Sequence, residues 1–199
     1  MKQVKHDGVF TIEYQREWKK GKTNMNIILY GSRYGTAQRY AKELSKRTNI
    51  NAVSFENVQD INMYDEIIYI GSLYAGSVLG LAKTFKKIKD ASGKTIILVT
   101  IGLSDPLDDK NIHAIEKNIR NQIPNEIFNS IKKIFHFRGA IDYNKLSFGH
   151  KTMMKLIYNA IKNKPKEALT AVDRAIIETY NKKVDFTNFQ ELEKIICEM

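Results

Sequence analysis

The feature that most constrains this chain is a run of nearly continuous apolar segments, each leading directly into a segment of helical period. Glu66-Ile-Ile-Tyr-Ile70 and Thr95-Ile-Ile-Leu-Val-Thr-Ile101 are apolar at successive positions, where a half-exposed strand would alternate with polar residues. Strands of that kind are buried on both faces, which requires helices above and below a parallel sheet. Further strands are predicted at 27–30, 52–55 and 134–140. Helices are predicted at 37–48 (with Tyr40, Ala41 and Leu44 at helical spacing), 79–89, 110–122 and 188–198. Right-handed crossovers between parallel strands then give an α/β fold, a doubly wound sheet of five parallel strands.

With 199 residues, 43% hydrophobic, the chain has enough length and apolar content for one such domain and does not read as disordered or low-complexity. The single cysteine, Cys197, rules out an internal disulfide and a cysteine-based zinc site. No apolar run approaches the roughly 18 residues of a spanning helix, and the charged amino terminus does not read as a secretory signal. A cytoplasmic protein is the expectation. Residues 1–24 hold the only tryptophan, Trp18, and read as an extension, with a short hairpin around Val9–Ile12 as the alternative. The domain proper is expected to span 25–199.

Net charge is +10, and its location matters more than its size. Between Tyr143 and Lys166 six lysines meet no carboxylate. This block falls within 141–184, a segment between the fifth strand and the last helix where a minimal fold needs only a few residues. It is therefore read as an insertion. A helix is predicted at 147–163, closed by Pro165. At about 100° per residue, Lys151, Lys155 and Lys162 share one side within about 40°, and Leu156, Ala160, Met153, Ile157, Ile161 and Met154 fall opposite. Such a helix either rests its apolar side on the core or docks on a membrane or partner.

In doubly wound sheets ligands bind beyond the carboxyl ends of the strands. The first strand is followed by Gly31-Ser32-Arg33-Tyr34-Gly35-Thr36-Ala37, a glycine turn entering a helix, where amides, the helix dipole and two hydroxyls can hold a phosphate. The loop is neither Walker A nor a dinucleotide fingerprint. Arg33 can neutralise an anion or point to solvent. The third strand leads into Gly71-Ser72-Leu73-Tyr74-Ala75-Gly76, with Tyr74 available to stack on a ring or to cap the core. The fourth leads into Thr100-Ile101-Gly102-Leu103-Ser104, whose backbone can bond a heterocycle edge. Asp105, Asp108 and Asp109 read as helix caps and not as metal ligands. No Lys-Ser/Thr for magnesium and no ribose-binding acid are present, so the three loops suit a mononucleotide without a transferable phosphate, and FMN is the natural candidate.

Met25–Ala41 (MNIILYGSRYGTAQRYA) resembles the flavodoxin phosphate-loop signature, and Gly71–Gly76 and Thr100–Ser104 resemble that family's two isoalloxazine loops. The basic insertion with Phe137–Ile157 (FRGAIDYNKLSFGHKTMMKLI) is similar to the branch containing menaquinone-dependent protoporphyrinogen oxidase, which also carries an extra segment before its last helix. Tyr34 and Ala37 stand where the signature has threonines, which leaves Ser32, Thr36 and backbone amides to hold the phosphate.

The resemblance implies FMN held by Ser32, Arg33, Tyr34, Gly35, Thr36 and Ala37 at the phosphate. Leu73, Tyr74, Ala75, Gly76, Thr100, Ile101, Gly102, Leu103 and Ser104 would lie at the ring. It implies an oxidoreductase passing electrons through the flavin to a quinone or other acceptor, with an anionic substrate and peripheral contact with the inner membrane face through 143–166. The alternative is an electron carrier that docks redox partner proteins and has no substrate of its own. No catalytic acid or base is nominated; His136 and His150 read as structural. A signalling receiver domain fails for want of its acidic pair and phospho-accepting aspartate. Nucleic-acid binding rests on charge alone, without an aromatic-interleaved basic face, and is not expected.

Overall fold

The computed structural model describes residues 25–74 and 76–199; the amino-terminal extension, with its alternative hairpin, and Ala75 lie outside the described residues. Strands β1 (Asn26–Gly31), β2 (Ala52–Ser54), β3 (Glu66–Tyr74), β5 (Thr95–Gly102) and β6 (Ile131–Arg138) form a parallel sheet in the order β2-β1-β3-β5-β6. β4 (Ser77–Val78) folds back antiparallel on the end of β3.

The unbroken apolar strands have the consequence expected of them. Ile27, Leu29, Ile67, Tyr69, Ile96 and Leu98 pack beneath α2 (Leu81–Phe85), α3 (Asp109–Gln122) and α4 (Asn125–Asn129). Ile28, Ile68, Ile70, Ile97 and Val99 point the other way, onto α1 (Thr36–Thr48) and α7 (Leu192–Ile196). Burying one side chain of this size contributes about 1.5–3 kcal/mol, so two filled faces dominate the stability of the fold.

Two predicted helices are shorter than their sequence pattern suggests. The one expected at 79–89 is confined to α2, because Gly80 caps it at φ 80° and the Leu79 N–H is committed to the Ser72 carbonyl at 3.0 Å. The closing helix starts as a 3₁₀ turn at Phe189–Glu191, capped by the Asn188 side chain, before α7.

The segment 141–184 holds more structure than one helix. Its ends are joined by an antiparallel ladder between β7 (Ala140–Asp142) and β8 (Lys183–Asp185). Between them lie α5 (Phe148–Ile161), capped by Ser147, and α6 (Ala171–Thr179), which starts in a capping box of Thr170 and Asp173. Tyr158 of α5 stacks flat on Tyr180, with centroids 3.9 Å apart.

The expected apolar side of the inserted helix is corrected in part. Leu156 and Ala160, placed by periodicity on the packed side, are exposed, and only Ile161 of α5 is buried. The inward face of the helix is made of the half-buried His150, Met153, Met154, Ile157 and Tyr158 and the buried Ile161, and Leu156 and Ala160 turn outward. No helix among the described residues is long and apolar enough to cross a membrane.

Candidate cofactor site

Gly31, Gly71 and Thr100 are aligned across β1, β3 and β5, so three loops leave the sheet from one line at its carboxyl edge. The first loop reaches that line only because residue 31 lacks a side chain: a Cβ there would lie 2.0 Å from the Leu79 carbonyl oxygen. Within the loop the Gly35 N–H donates to Ser32 Oγ at 3.1 Å, which leaves the Ser32 hydroxyl hydrogen free to donate outward.

Gly35 adopts φ 93°, a left-handed conformation that costs an L-residue about 1–2 kcal/mol. It caps α1 without any side-chain bond, and the first turn contains no acidic residue. The leading amides of α1 therefore lack intrahelical or side-chain acceptors while the positive end of the helix dipole faces the loop. That donor set fits a phosphate.

The second loop is a hairpin. β3 runs past Ile70 to Tyr74 and returns as β4, pairing Leu73 with Val78 and Tyr74 with Ser77. Gly76 lies exposed in its turn, and the Val78 N–H donates to Gln122 Oε1 on α3 at 3.0 Å. Leu73 packs against the core and approaches the third loop so closely that a Cβ on Gly102 would lie 2.9 Å from its Cδ1.

The third loop is pinned from beside it. The Gly139 N–H donates to the Gly102 carbonyl at 2.7 Å, and Arg138 donates through Nε and Nη2 to the Leu103 carbonyl at 3.2 and 2.9 Å. Ser104 Oγ accepts from the Asn111 amide at 3.0 Å. The side chains of Thr100 and Ile101 are buried, Ile101 in the core beneath α1 and Thr100 against His136 Nδ1 at 2.7 Å. Burial pushes the His136 pKa down, against the pull of Glu116 3.9 Å away.

The acids of this loop are helix-capping and turn-forming groups. Asp105 accepts from the Leu107 N–H. Asp108 accepts from the Asn111 N–H, which holds its carboxyl below the usual carboxylate range, and it also pairs with Arg174 of α6 at 2.6 Å. Among the described residues no three potential metal ligands converge.

Across the first two loops lies the amino end of α5. The Tyr34 hydroxyl bonds to His150 Nδ1 and the Tyr74 hydroxyl to His150 Nε2, both by short contacts. The Arg33 guanidinium sits 5.4 Å from the centre of the Tyr74 ring.

A family model described as a flavodoxin domain matches residues 27–168. The chain belongs to the flavodoxin domain family. Among curated proteins none matches it. Among solved structures, this flavodoxin domain is similar to a Bacteroides uniformis protein assigned as a flavoprotein (16% identity, 58% of this chain and 91% of that one, TM-score 0.43). It is similar also to a flavodoxin variant of Fusobacterium nucleatum bound to flavin mononucleotide (15%, 64% and 76%, TM-score 0.40). A third likeness is to a flavodoxin from the domain Archaea (13%, 57% and 84%, TM-score 0.34).

In this flavodoxin domain the fold brings Ser32, Arg33, Tyr34, Gly35 and Thr36 to one edge with Tyr74, Gly102 and Leu103. Thr100 and Ile101 can face that edge only through their backbone, and Ala75 lies outside the described residues. Arg138, which pins the third loop, and Tyr40, whose hydroxyl donates to the Arg138 carbonyl at 2.8 Å, were not singled out from the sequence, and His150, read there as structural, bridges the first two loops. His150 had one visible signal: it is the polar residue on the helix face that also carries Met153, Ile157 and Ile161.

Proposed function

We propose that this flavodoxin domain binds FMN and works as an oxidoreductase resembling menaquinone-dependent protoporphyrinogen oxidase, taking electrons from a reduced anionic substrate and passing them to a quinone. The observation that carries the reading is the uncapped, acid-free start of α1 behind Gly35, at the same sheet edge as the Tyr74 and Gly102 loops. Bound flavin supplies the redox chemistry, and the chain supplies the setting. Ser32, Thr36 and the leading amides of α1 would hold the phosphate. Tyr74 would offer its ring to the isoalloxazine, and the third loop, fixed by Arg138, would present backbone groups to the ring edge.

The exposed side of α5 supports an anionic partner. Phe148 and Leu156 are 87% and 67% exposed and share that side with Lys151 and Lys155. Apolar tips among lysines suit the headgroup region of an anionic bilayer, where each lysine contributes about 1 kcal/mol. Co-sedimentation with phosphatidylserine vesicles but not with phosphatidylcholine vesicles is the expected result; equal binding to both counts against this contact.

The first test is the visible spectrum of purified protein, followed by identification of the flavin released on heating. A colourless protein that also refuses added FMN would sink the reading. The second test is turnover of protoporphyrinogen with a menaquinone analogue. Electron exchange with redox proteins alone would leave the carrier function in place of the oxidase.

A further inference from the structure

The bridge made by His150 joins parts of the fold that are otherwise separate. Tyr34 belongs to the loop after β1, Tyr74 to the end of β3, and His150 to the inserted helix. The ring centroids of Tyr34 and Tyr74 lie 5.7 and 5.2 Å from that of His150, and the Ser147 N–H adds a bond to the Tyr34 hydroxyl at 3.4 Å. Both imidazole nitrogens are engaged. In the neutral ring one donates and the other accepts, so one tyrosine hydroxyl gives its hydrogen and the other receives one.

Leu146 is buried just ahead of the helix, and within the amino-terminal half of α5 Met153 and Met154 are half-buried, whereas Phe148, Gly149, Lys151 and Thr152 are exposed. Full burial within α5 is confined to Ile161 at the far end, beside the Tyr158–Tyr180 stack. The end nearest the loops is therefore held by partial apolar packing together with the His150 bridge, and loss of the bridge frees it to shift about the buried end. Two hydrogen bonds at a surface favour the closed position by only about ten- to a hundredfold.

We propose that His150 is a positioning residue that latches the inserted helix across the mouth of the FMN site. Given the FMN assignment above, on which it rests, the latch controls how fast the cofactor enters and leaves, and contributes little to equilibrium affinity. Entry and release both pass through the unlatched state, because the bridge spans the two loops between which the ligand must pass.

The test is stopped-flow FMN fluorescence with full-length protein, comparing wild type, His150→Ala and His150→Gln. The alanine variant should bind and release FMN about tenfold faster, with the dissociation constant changed less than threefold. Glutamine, which also offers one donor and one acceptor group, should restore part of the slow gate. Faster release with weaker affinity and unchanged entry would overturn the latch in favour of a direct ligand role. Faster entry with unchanged release would make His150 a plug, and no change in either rate would remove it from the site.

Hydrogen exchange across residues 148–156 of the cofactor-free protein supplies a readout independent of flavin. Exchange should be faster in His150→Ala, and equal exchange would overturn the latch. Wild type that fails to bind FMN would defeat the cofactor assignment, while the exchange comparison would still decide the latch.

Discussion

Gly31→Ala adds one methyl group where the fold has no room for it. The new Cβ would sit 2.0 Å from the Leu79 carbonyl oxygen and 3.0 Å from its carbon, and both are backbone atoms. The Leu79 segment cannot simply retreat. Its N–H donates to the Ser72 carbonyl at 3.0 Å, and its carbonyl accepts from the buried Tyr69 hydroxyl at 2.7 Å. Relief therefore requires a shift of β1 or the loss of one of these bonds. Overpacking costs about 1–3 kcal/mol and an orphaned buried polar group about 1–3 more, so a loss of roughly 2–6 kcal/mol is expected where both occur. For a domain of this length that is a fall in Tm of about 4–24 °C.

Gly149→Ala is the control, because a Cβ there meets nothing within 4 Å and Gly149 lies exposed in α5. The same chemical change should there stabilise by about 0.5–1 kcal/mol. Differential scanning calorimetry and urea melts of both variants decide the matter. A Gly31→Ala protein melting within about 2 °C of wild type, below the smallest shift expected from the steric cost, would refute the claim that the loop after β1 is set by this contact.

The same geometry yields three further expected outcomes. Gly35→Ala forces a side chain into φ 93°, at about 1–2 kcal/mol; FMN titration should show roughly tenfold weaker binding, and unchanged affinity would argue against a phosphate at this turn. Tyr40→Phe removes the hydroxyl that donates to the Arg138 carbonyl at 2.8 Å and accepts from the Asn188 N–H at 3.0 Å, so urea melts should show a loss of about 1–3 kcal/mol. Burial lowers the pKa of His136 in the folded protein, so its stabilising share is complete above the unfolded value near 6.5 and is lost as pH falls through that value towards the folded one. Melts from pH 7 to pH 5 should fall less steeply for His136→Asn than for wild type, and parallel curves would contradict the burial argument.

The sheet could be read from sequence because its signal is local: a strand buried on both faces shows as an apolar run wherever it lies. The glycine turn after β1 was legible for a similar reason, since glycines between a strand and a helix mark the place where the chain changes direction. The loop after β3 was harder to read. Nothing in Leu73–Val78 announces that the strand continues into a hairpin, because the pairing of Leu73 with Val78 depends on Gln122 in a distant helix. The roles of Thr100 and Leu103 were hidden similarly: His136 turns the threonine inward and Arg138 occupies the leucine carbonyl. Long-range contacts of this kind leave no periodicity.

Such contacts accumulate in the insertion. Its ends are zipped by β7 and β8, and Arg39 of α1 pairs with Asp185 at 2.8 Å where the segment rejoins the domain. Arg138 lies 3.6 Å over the Phe186 ring while it also holds the Leu103 carbonyl. Arg174 of α6 pairs with Asp108, which caps α3, and His150 touches the first two loops. Each of the three site loops, or the helix entered from it, thus has a partner in the insertion or at its ends. Exposed ion pairs such as Arg174 with Asp108 are worth at most about 1 kcal/mol, so α6 is held chiefly by its buried residues Ala171, Ala175, Ile176 and Thr179, while the β7–β8 ladder and the Arg138 contacts fix the base of the insertion. The lysines of α5 are thus carried on a segment tied to the site loops, and an anionic surface engaging Lys151 and Lys155 would act on the same helix that places His150 between Tyr34 and Tyr74.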